Sequence, residues 1–361
     1  MNTTPIDAIA RAVLYEGYML YPYRPSSVKN RQRFNFGVLY PKSYSESQVG
    51  SDAWSMQTEC LVEGGAHTRI EIRVRFLKLV ARSVQKLISS TSDPDAMPQF
   101  APVSSLEVDG KVFTSWQEAI EREVKVPPLN LEALTNAPVT WEFAFPARNE
   151  PELLSDAAGR LVGTIDRKQA SVHGTVEIEA QPAAAGVFKI RVCVKNQTSF
   201  MDGEVAAEAD SPSASDRDAA LMHSLVSAHV LLAAINGQFV SLLEPSENLR
   251  DLAETCQNLG AWPVLVGAEG ERNTMLASPI ILYDYPQIAP ESPGDLFDGT
   301  EVDEILALRI LAMTEAEKNE MRNSDDRARK MLERTESLPM EHLMKLHGTL
   351  RDLRPCKEET P

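Results

Sequence analysis

The run Arg69-Ile-Glu-Ile-Arg-Val-Arg-Phe76 alternates charged and apolar residues without a break. Ile70, Ile72, Val74 and Phe76 fall on one side of an extended chain, and Arg69, Glu71, Arg73 and Arg75 on the other. A period of two this regular predicts a strand in a sheet with one buried face and one solvated face.

Working outward, shorter strands are expected at Val139–Phe145, 171–179 and Val187–Asn196, each bounded by Pro, Gly or Asn. Residues 112–126 fit a helix through Trp116, Ile120 and Val124, but also alternate at Ile120, Arg122, Val124 and Val126. The extended Lys125-Val126-Pro127-Pro128 tips that segment towards strand. Residues 91–104 read as a loop. Upstream, Phe34, Phe36, Val38 and Tyr40 alternate as far as Pro41, which predicts another strand. A short helix precedes it, with Pro5 in its first turn, a stripe of Ile6, Ile9, Val13 and Leu14, and Gly17 as its stop.

The expected fold class is therefore α+β. A mainly antiparallel β body, sandwich-like or an open barrel, covers residues 1–200. Residues 201–218, rich in Ala, Ser, Asp and Glu, read as a connector. A mixed α/β continuation packed on the body follows over 219–299. In it, 216–223 is a helical turn, 226–243 a buried strand pair or buried helix, and 246–258 a helix capped by Ser246. Short strands are expected at 262–266 and 278–283. Residues 300–361 form a helical tail whose helices start at Thr300, at the capping box Thr314-Glu-Ala-Glu317, at Ser324 and at Ser337. Their apolar stripes need the body or a partner to cover them.

With 361 residues and 43% hydrophobic content, the chain can fill a core. It shows no basic-then-apolar start and no apolar run long enough to span a bilayer, so a cytoplasmic location is expected. Cys60, Cys193, Cys256 and Cys356 form no C-x-x-C pair. That argues against a zinc or iron–sulfur site and fits a reduced compartment, with Cys193 a small buried hydrophobe. The net charge of −16 is unevenly spread: residues 1–90 carry 12 Lys+Arg against 7 Asp+Glu, whereas the whole chain carries 36 against 52. Such an acidic balance disfavours nucleic acid and anionic membrane as partners. The basic first segment is left to pair with the acidic remainder or with an acidic protein.

Two segments combine Tyr and Pro with dense charge. In Tyr21-Pro-Tyr-Arg-Pro-Ser-Ser-Val-Lys-Asn-Arg-Gln-Arg33, the rings of Tyr21 and Tyr23 lie beside Arg24, Lys29, Arg31 and Arg33. That composition can grip phosphate, carboxylate or an acidic protein surface, or simply form a turn into the next strand. The second segment begins at Tyr283, Asp284 and Tyr285 and continues through Glu291, Asp295, Asp298 and Glu301 to Asp303 and Glu304. Its carboxylates suit a hard divalent cation, but the spacing of a calcium loop is missing. The simpler reading is a solvated acidic loop and helix N-terminus, and an intermediate one is a loop that docks on the basic Tyr21–Arg33 segment. No G-x-S-x-G, H-E-x-x-H, Walker or dinucleotide-binding glycine pattern occurs, and the six histidines lack metal-ligand spacing. No catalytic residue can be named, and neither a metal nor another cofactor is expected.

Tyr15-Glu-Gly-Tyr-Met-Leu-Tyr-Pro-Tyr-Arg24, Phe36-Gly-Val-Leu-Tyr-Pro41 and the segment Pro279-Ile-Ile-Leu-Tyr-Asp-Tyr-Pro-Gln-Ile-Ala-Pro-Glu-Ser-Pro-Gly-Asp-Leu-Phe-Asp-Gly-Thr-Glu301 carry a resemblance. Together they resemble an uncharacterised protein family encoded beside actinobacterial-type, high-affinity NiFe hydrogenases. The resemblance implies a role in hydrogenase assembly, maturation or scaffolding, with a hydrogenase subunit or maturation factor as partner. It implies no mechanism and no catalytic residue. The expectation is a non-catalytic accessory protein that binds a partner through the two Tyr/Pro segments. The alternatives are a metal chaperone or hydrolase using the acidic loop 284–304, and a small-molecule-binding β domain.

Overall fold

The alternation at Arg69 opens a strand of 21 residues, Arg69–Ser89, around which the rest of the chain is assembled. The structure, a computed structural model, describes residues 3–15, 36–48, 50, 52–89, 98–200, 216–287, 308–323 and 326–339. In chain order its elements begin with α1 (Thr3–Tyr15), α2 (Lys42–Ser47), β1 (Ser55–Glu63), β2 (Arg69–Ser89), β3 (Gln99–Val103), β4 (Ser105–Val108), β5 (Lys111–Thr114) and β6 (Trp116–Asn130). They continue with α3 (Leu131–Asn136), β7 (Val139–Phe145), β8 (Arg148–Ser155), β9 (Leu161–Gln169), β10 (Val172–Ala184), β11 (Val187–Asn196), α4 (Asp216–Met222), β12 (Val226–Ile235) and β13 (Gln238–Phe239). Last come α5 (Arg250–Glu254), β14 (Trp262–Leu265), β15 (Thr274–Ser278), α6 (Glu315–Arg322) and α7 (Asp326–Glu336).

The fold is α+β, with 48% strand, 22% helix and a mostly antiparallel β body. One sheet has five strands in the order β13-β1-β11-β10-β7. The other has eight: β14-β15-β12-β2-β9-β8 in line, with β3 and β6 on the second edge of β2. The first part of β2 lies between β12 and β6, and its last part between β9 and β3. Ile70, Ile72, Val74 and Phe76 meet Met56, Val62, Val176, Ile190 and Val192 of the first sheet in one shared core. This face-to-face packing makes the body sandwich-like.

The opposite face of β2 is not left to water. Helix α1 lays Ile6, Ile9, Ala10 and Val13 against Leu231, Val264 and Leu276 of the sheet. Asp7 of that helix pairs with Arg73 at 3.1 Å and with Arg75 at 3.7 Å. Farther along, Leu77 and Leu79 pack with Leu14, Tyr40, Tyr44, Phe200 and Leu221. The strand alternates as read, but its charged side is roofed by a helix.

Several boundaries differ from expectation for local reasons. Within the described part of the upstream segment, Phe36–Tyr40 makes only an isolated bridge, Leu39 to Leu225, because Gly37 takes φ 53 and breaks the extended path. Residues 99–103, expected in a loop, form β3 on the end of β2. The strand expected at 278–283 ends at Ser278, because Pro279 cannot donate to a ladder. The helix expected over 246–258 shrinks to a single 3-10 turn and α5, and Ser246 makes no side-chain cap bond. The 226–243 run is extended, and all of β12 except Ile235 is buried between β2 and β15. Its largely apolar sequence, interrupted only by Ser227 and His229, is that of a central strand covered on both faces.

In the tail, Thr314 and Glu317 form the anticipated capping box at α6. Helices α6 and α7 bury Met321, Ala328, Met331 and Leu332 with Ile310 and Met313 in a cluster of their own. No described helix is long and apolar enough to cross a membrane.

Candidate functional site

After β15 the chain turns at Pro279, and its side chains divide. Ile280 and Leu282 pack on the α1 cluster, whereas Ile281 and Tyr283 are exposed. The Asp284 carboxylate then fixes the corner, accepting from the Ser241 hydroxyl at 2.5 Å and from the Leu265 N–H at 2.7 Å. Tyr285 takes φ 56, donates its N–H to the Leu265 carbonyl at 2.7 Å and packs on the main core. A left-handed tyrosine costs about 1 to 2 kcal/mol, so this corner is held by its bonds. The result is a pinned turn that presents one aliphatic and one aromatic side chain to solvent.

Beneath α1 lies a layer of charge. Arg75 meets Glu121 at 3.1 Å, Arg73 meets Glu123 at 3.7 Å, and Arg11 meets Glu121 at 3.4 Å. Fully buried His229 sits opposite Arg75 in the β2–β12 register, just past a bulge. Ser227 in that bulge has φ 54 and donates its hydroxyl to the Val13 carbonyl at 3.0 Å, tying sheet to helix. His229 Nδ1 is 3.0 Å from the Ser227 carbonyl, so this nitrogen carries the proton and donates it. Nε2 has no partner among the described residues. Burial, with Arg75 and Arg73 nearby, pushes the imidazole down to about 4. It is neutral, and the layer around it is structural.

A different arrangement lies on the inner face of β2 just past Phe76. The next residue on that face is Lys78, which is fully buried and donates to the Pro146 carbonyl at 3.2 Å. Arg122, the cross-strand partner of Phe76 on β6, stacks over the Phe145 ring with its guanidinium 5.6 Å from the centroid. It donates to Gln169 Oε1 and to the Glu121 carbonyl, both at 3.3 Å, while its buried Nε has no partner among the described residues. Arg148, exposed at the start of β8, is registered against Gln169. Burial first, and then the charges of Arg122 and Arg148, push the Lys78 ammonium down to about 8. Burial and Arg148 hold Arg122 below its ordinary value as well, against the pull of Glu150.

The next group along this face shows what ordinary pairing looks like. Glu118 bridges Arg82 at 3.2 Å and Arg167 at 3.1 Å, and Arg167 also meets Glu152 at 2.7 Å. Lys78, Arg122 and Arg148 have no such carboxylate among the described residues. Chemically the trio can receive an anion.

Of the residues anticipated from sequence, Tyr283, Asp284 and Tyr285 come together at the pinned turn. Tyr21, Tyr23, Arg24, Lys29, Arg31, Arg33, Asp295 and Asp298 lie outside the described residues. Among the described residues no group of three or more His, Cys, Asp or Glu could hold a metal ion. Cys60, Cys193 and Cys256 are free thiols. Cys193 is half-buried on the outer side of β11, not in the core, because Val192 and Val194 take the inner positions. The Lys78 trio was not anticipated. Its signal was present all the same: carrying the alternation past Phe76 puts Lys78 on the face that Ile70, Ile72, Val74 and Phe76 make apolar. No protein-family model matches the chain, and no curated protein matches it.

Proposed function

We propose that this chain is an accessory protein that binds a partner protein through the turn at 281–285 and the Tyr/Pro segment that continues from it. A NiFe hydrogenase subunit or maturation factor is the partner suggested by the sequence resemblance, and assembly in the cytoplasm is the setting. One observation carries the reading: Asp284 is held at two points while its neighbours Ile281 and Tyr283 face outward. Large side chains on a turn that is already ordered lose little entropy on contact, which favours recognition. The body acts as a rigid platform for that turn.

The test is affinity capture with the full-length chain from cells expressing the hydrogenase and its maturation factors, with the captured proteins identified by mass spectrometry. Ile281→Ser with Tyr283→Ser should reduce capture of those proteins at least fivefold and leave the melting temperature unchanged. Asp284→Ala should instead lower the melting temperature, because it releases the corner. Arg24→Ala with Arg31→Ala should weaken capture without unfolding the chain. Undiminished capture by the Ile281/Tyr283 variant would refute the reading.

A further inference from the structure

Like charges held together in a protein interior repel one another, and the usual remedy is a carboxylate. Here Glu118, farther along the same face, is committed to Arg82 and Arg167, and Glu150, whose charge acts on Arg122 from β8, forms no ion pair with the trio among the described residues. The Lys78 ammonium has three donors but makes one hydrogen bond among the described residues, to Pro146. The buried Nε of Arg122 makes none. Buried donors are normally satisfied, so two incompletely used cations side by side indicate a missing acceptor. Their burial is graded: Arg148 is exposed, Arg122 is half-buried, and Lys78 is fully buried.

We propose that Lys78, Arg122 and Arg148 form a binding site for a phosphoryl dianion, carried by inorganic phosphate or by a small phosphomonoester. The charge count favours a dianion over a carboxylate: three cations gather here, and the one carboxylate that acts on Lys78 or Arg122 is Glu150, on Arg122. Geometry points the same way, because guanidinium forks suit tetrahedral oxyanions and an ammonium supplies a point charge. Gln169 spends its carbonyl oxygen on Arg122 and so turns no acceptor towards the anion. The Phe145 ring packs against the Arg122 guanidinium. This assignment stands independently of the partner-binding turn.

The test uses the full-length chain at pH 7.5 and constant ionic strength, titrated calorimetrically with inorganic phosphate, phenyl phosphate or benzoate against a chloride background. Saturable binding of phosphate or phenyl phosphate is expected, with benzoate at least tenfold weaker. Tighter binding of inorganic phosphate would assign the free anion, and tighter binding of phenyl phosphate a monoester; either supports the site. Lys78→Met and Arg122→Gln should each weaken binding at least tenfold. Lys78→Met should melt no lower than the parent in phosphate-free buffer, which a merely structural lysine would not allow. Arg148→Gln, at the exposed rim, should weaken binding with an unchanged melting temperature, and it tests the site even where the buried variants fail to fold. Binding no stronger than that of chloride, benzoate equal to phosphate, or undiminished binding by Arg148→Gln would overturn the proposal.

Discussion

Lys78 and His229 are both buried, and burial weakens the hold of each on its proton, so they shape stability at opposite ends of the pH scale. Lys78 falls from 10.5 to about 8 on folding. Between those values the unfolded chain binds more protons than the folded one, so stability should rise as pH climbs through that window. Urea midpoints from pH 8 to 10 should therefore increase for the parent and stay flatter for Lys78→Met. His229 falls from 6.5 to about 4. Its contribution is fully present above pH 6.5 and is lost as pH drops towards 4, amounting to about 3 kcal/mol once both states are protonated. Denaturant unfolding at pH 6.5, 5.5 and 4.5 should show that decline, and His229→Gln should remove most of it. Neither group announced itself by motif. His229 looked like a lone histidine in an apolar run, and its burial comes from α1 closing over the strand from far away in sequence.

Among the elements, those with a strong local pattern were legible, and those defined by their neighbours were not. The alternation at Arg69, the matching strands β7 and β11, and the capping box of α6 follow from residues within a few positions of one another. Strand β8 did not, because Arg148-Asn-Glu-Pro-Glu-Leu-Leu-Ser155 is an exposed edge with only Leu154 buried. An edge strand outside the core needs no period-two pattern. The Phe34–Tyr40 alternation misled for the converse reason: Leu39 and Tyr40, adjacent in sequence, bury in different clusters. Close packing between strands gives a test at this scale. A Cβ on Gly174 of β10 would stand 2.2 Å from the Lys195 carbonyl oxygen and 2.7 Å from the Phe143 ring. Both neighbours belong to the same sheet, so Gly174→Ala should cost on the order of 3 kcal/mol by chemical denaturation, as overpacked cores do. An unchanged midpoint would mean that β7 and β11 yield easily.

Across the whole molecule, the basic excess near the N-terminus is partly spent inside the fold. Arg73 and Arg75 pair with Asp7, Glu121 and Glu123, so these arginines support α1 and are not free for a partner. Among the described residues, two places with unmet binding capacity are the outward turn at Ile281 and Tyr283 and the cation trio at Lys78. Composition could indicate the imbalance of charge but not its destination, since pairing across sheets depends on register. We propose the 281–285 turn as the contact surface for a hydrogenase-related protein. The most direct measurement is photo-crosslinking from p-benzoylphenylalanine at position 283 in cells expressing the hydrogenase and its maturation factors, with position 153 on exposed β8 as control. A discrete adduct with one of those proteins from position 283, absent from position 153, is the predicted result. No adduct, or the same adducts from both positions, would contradict it.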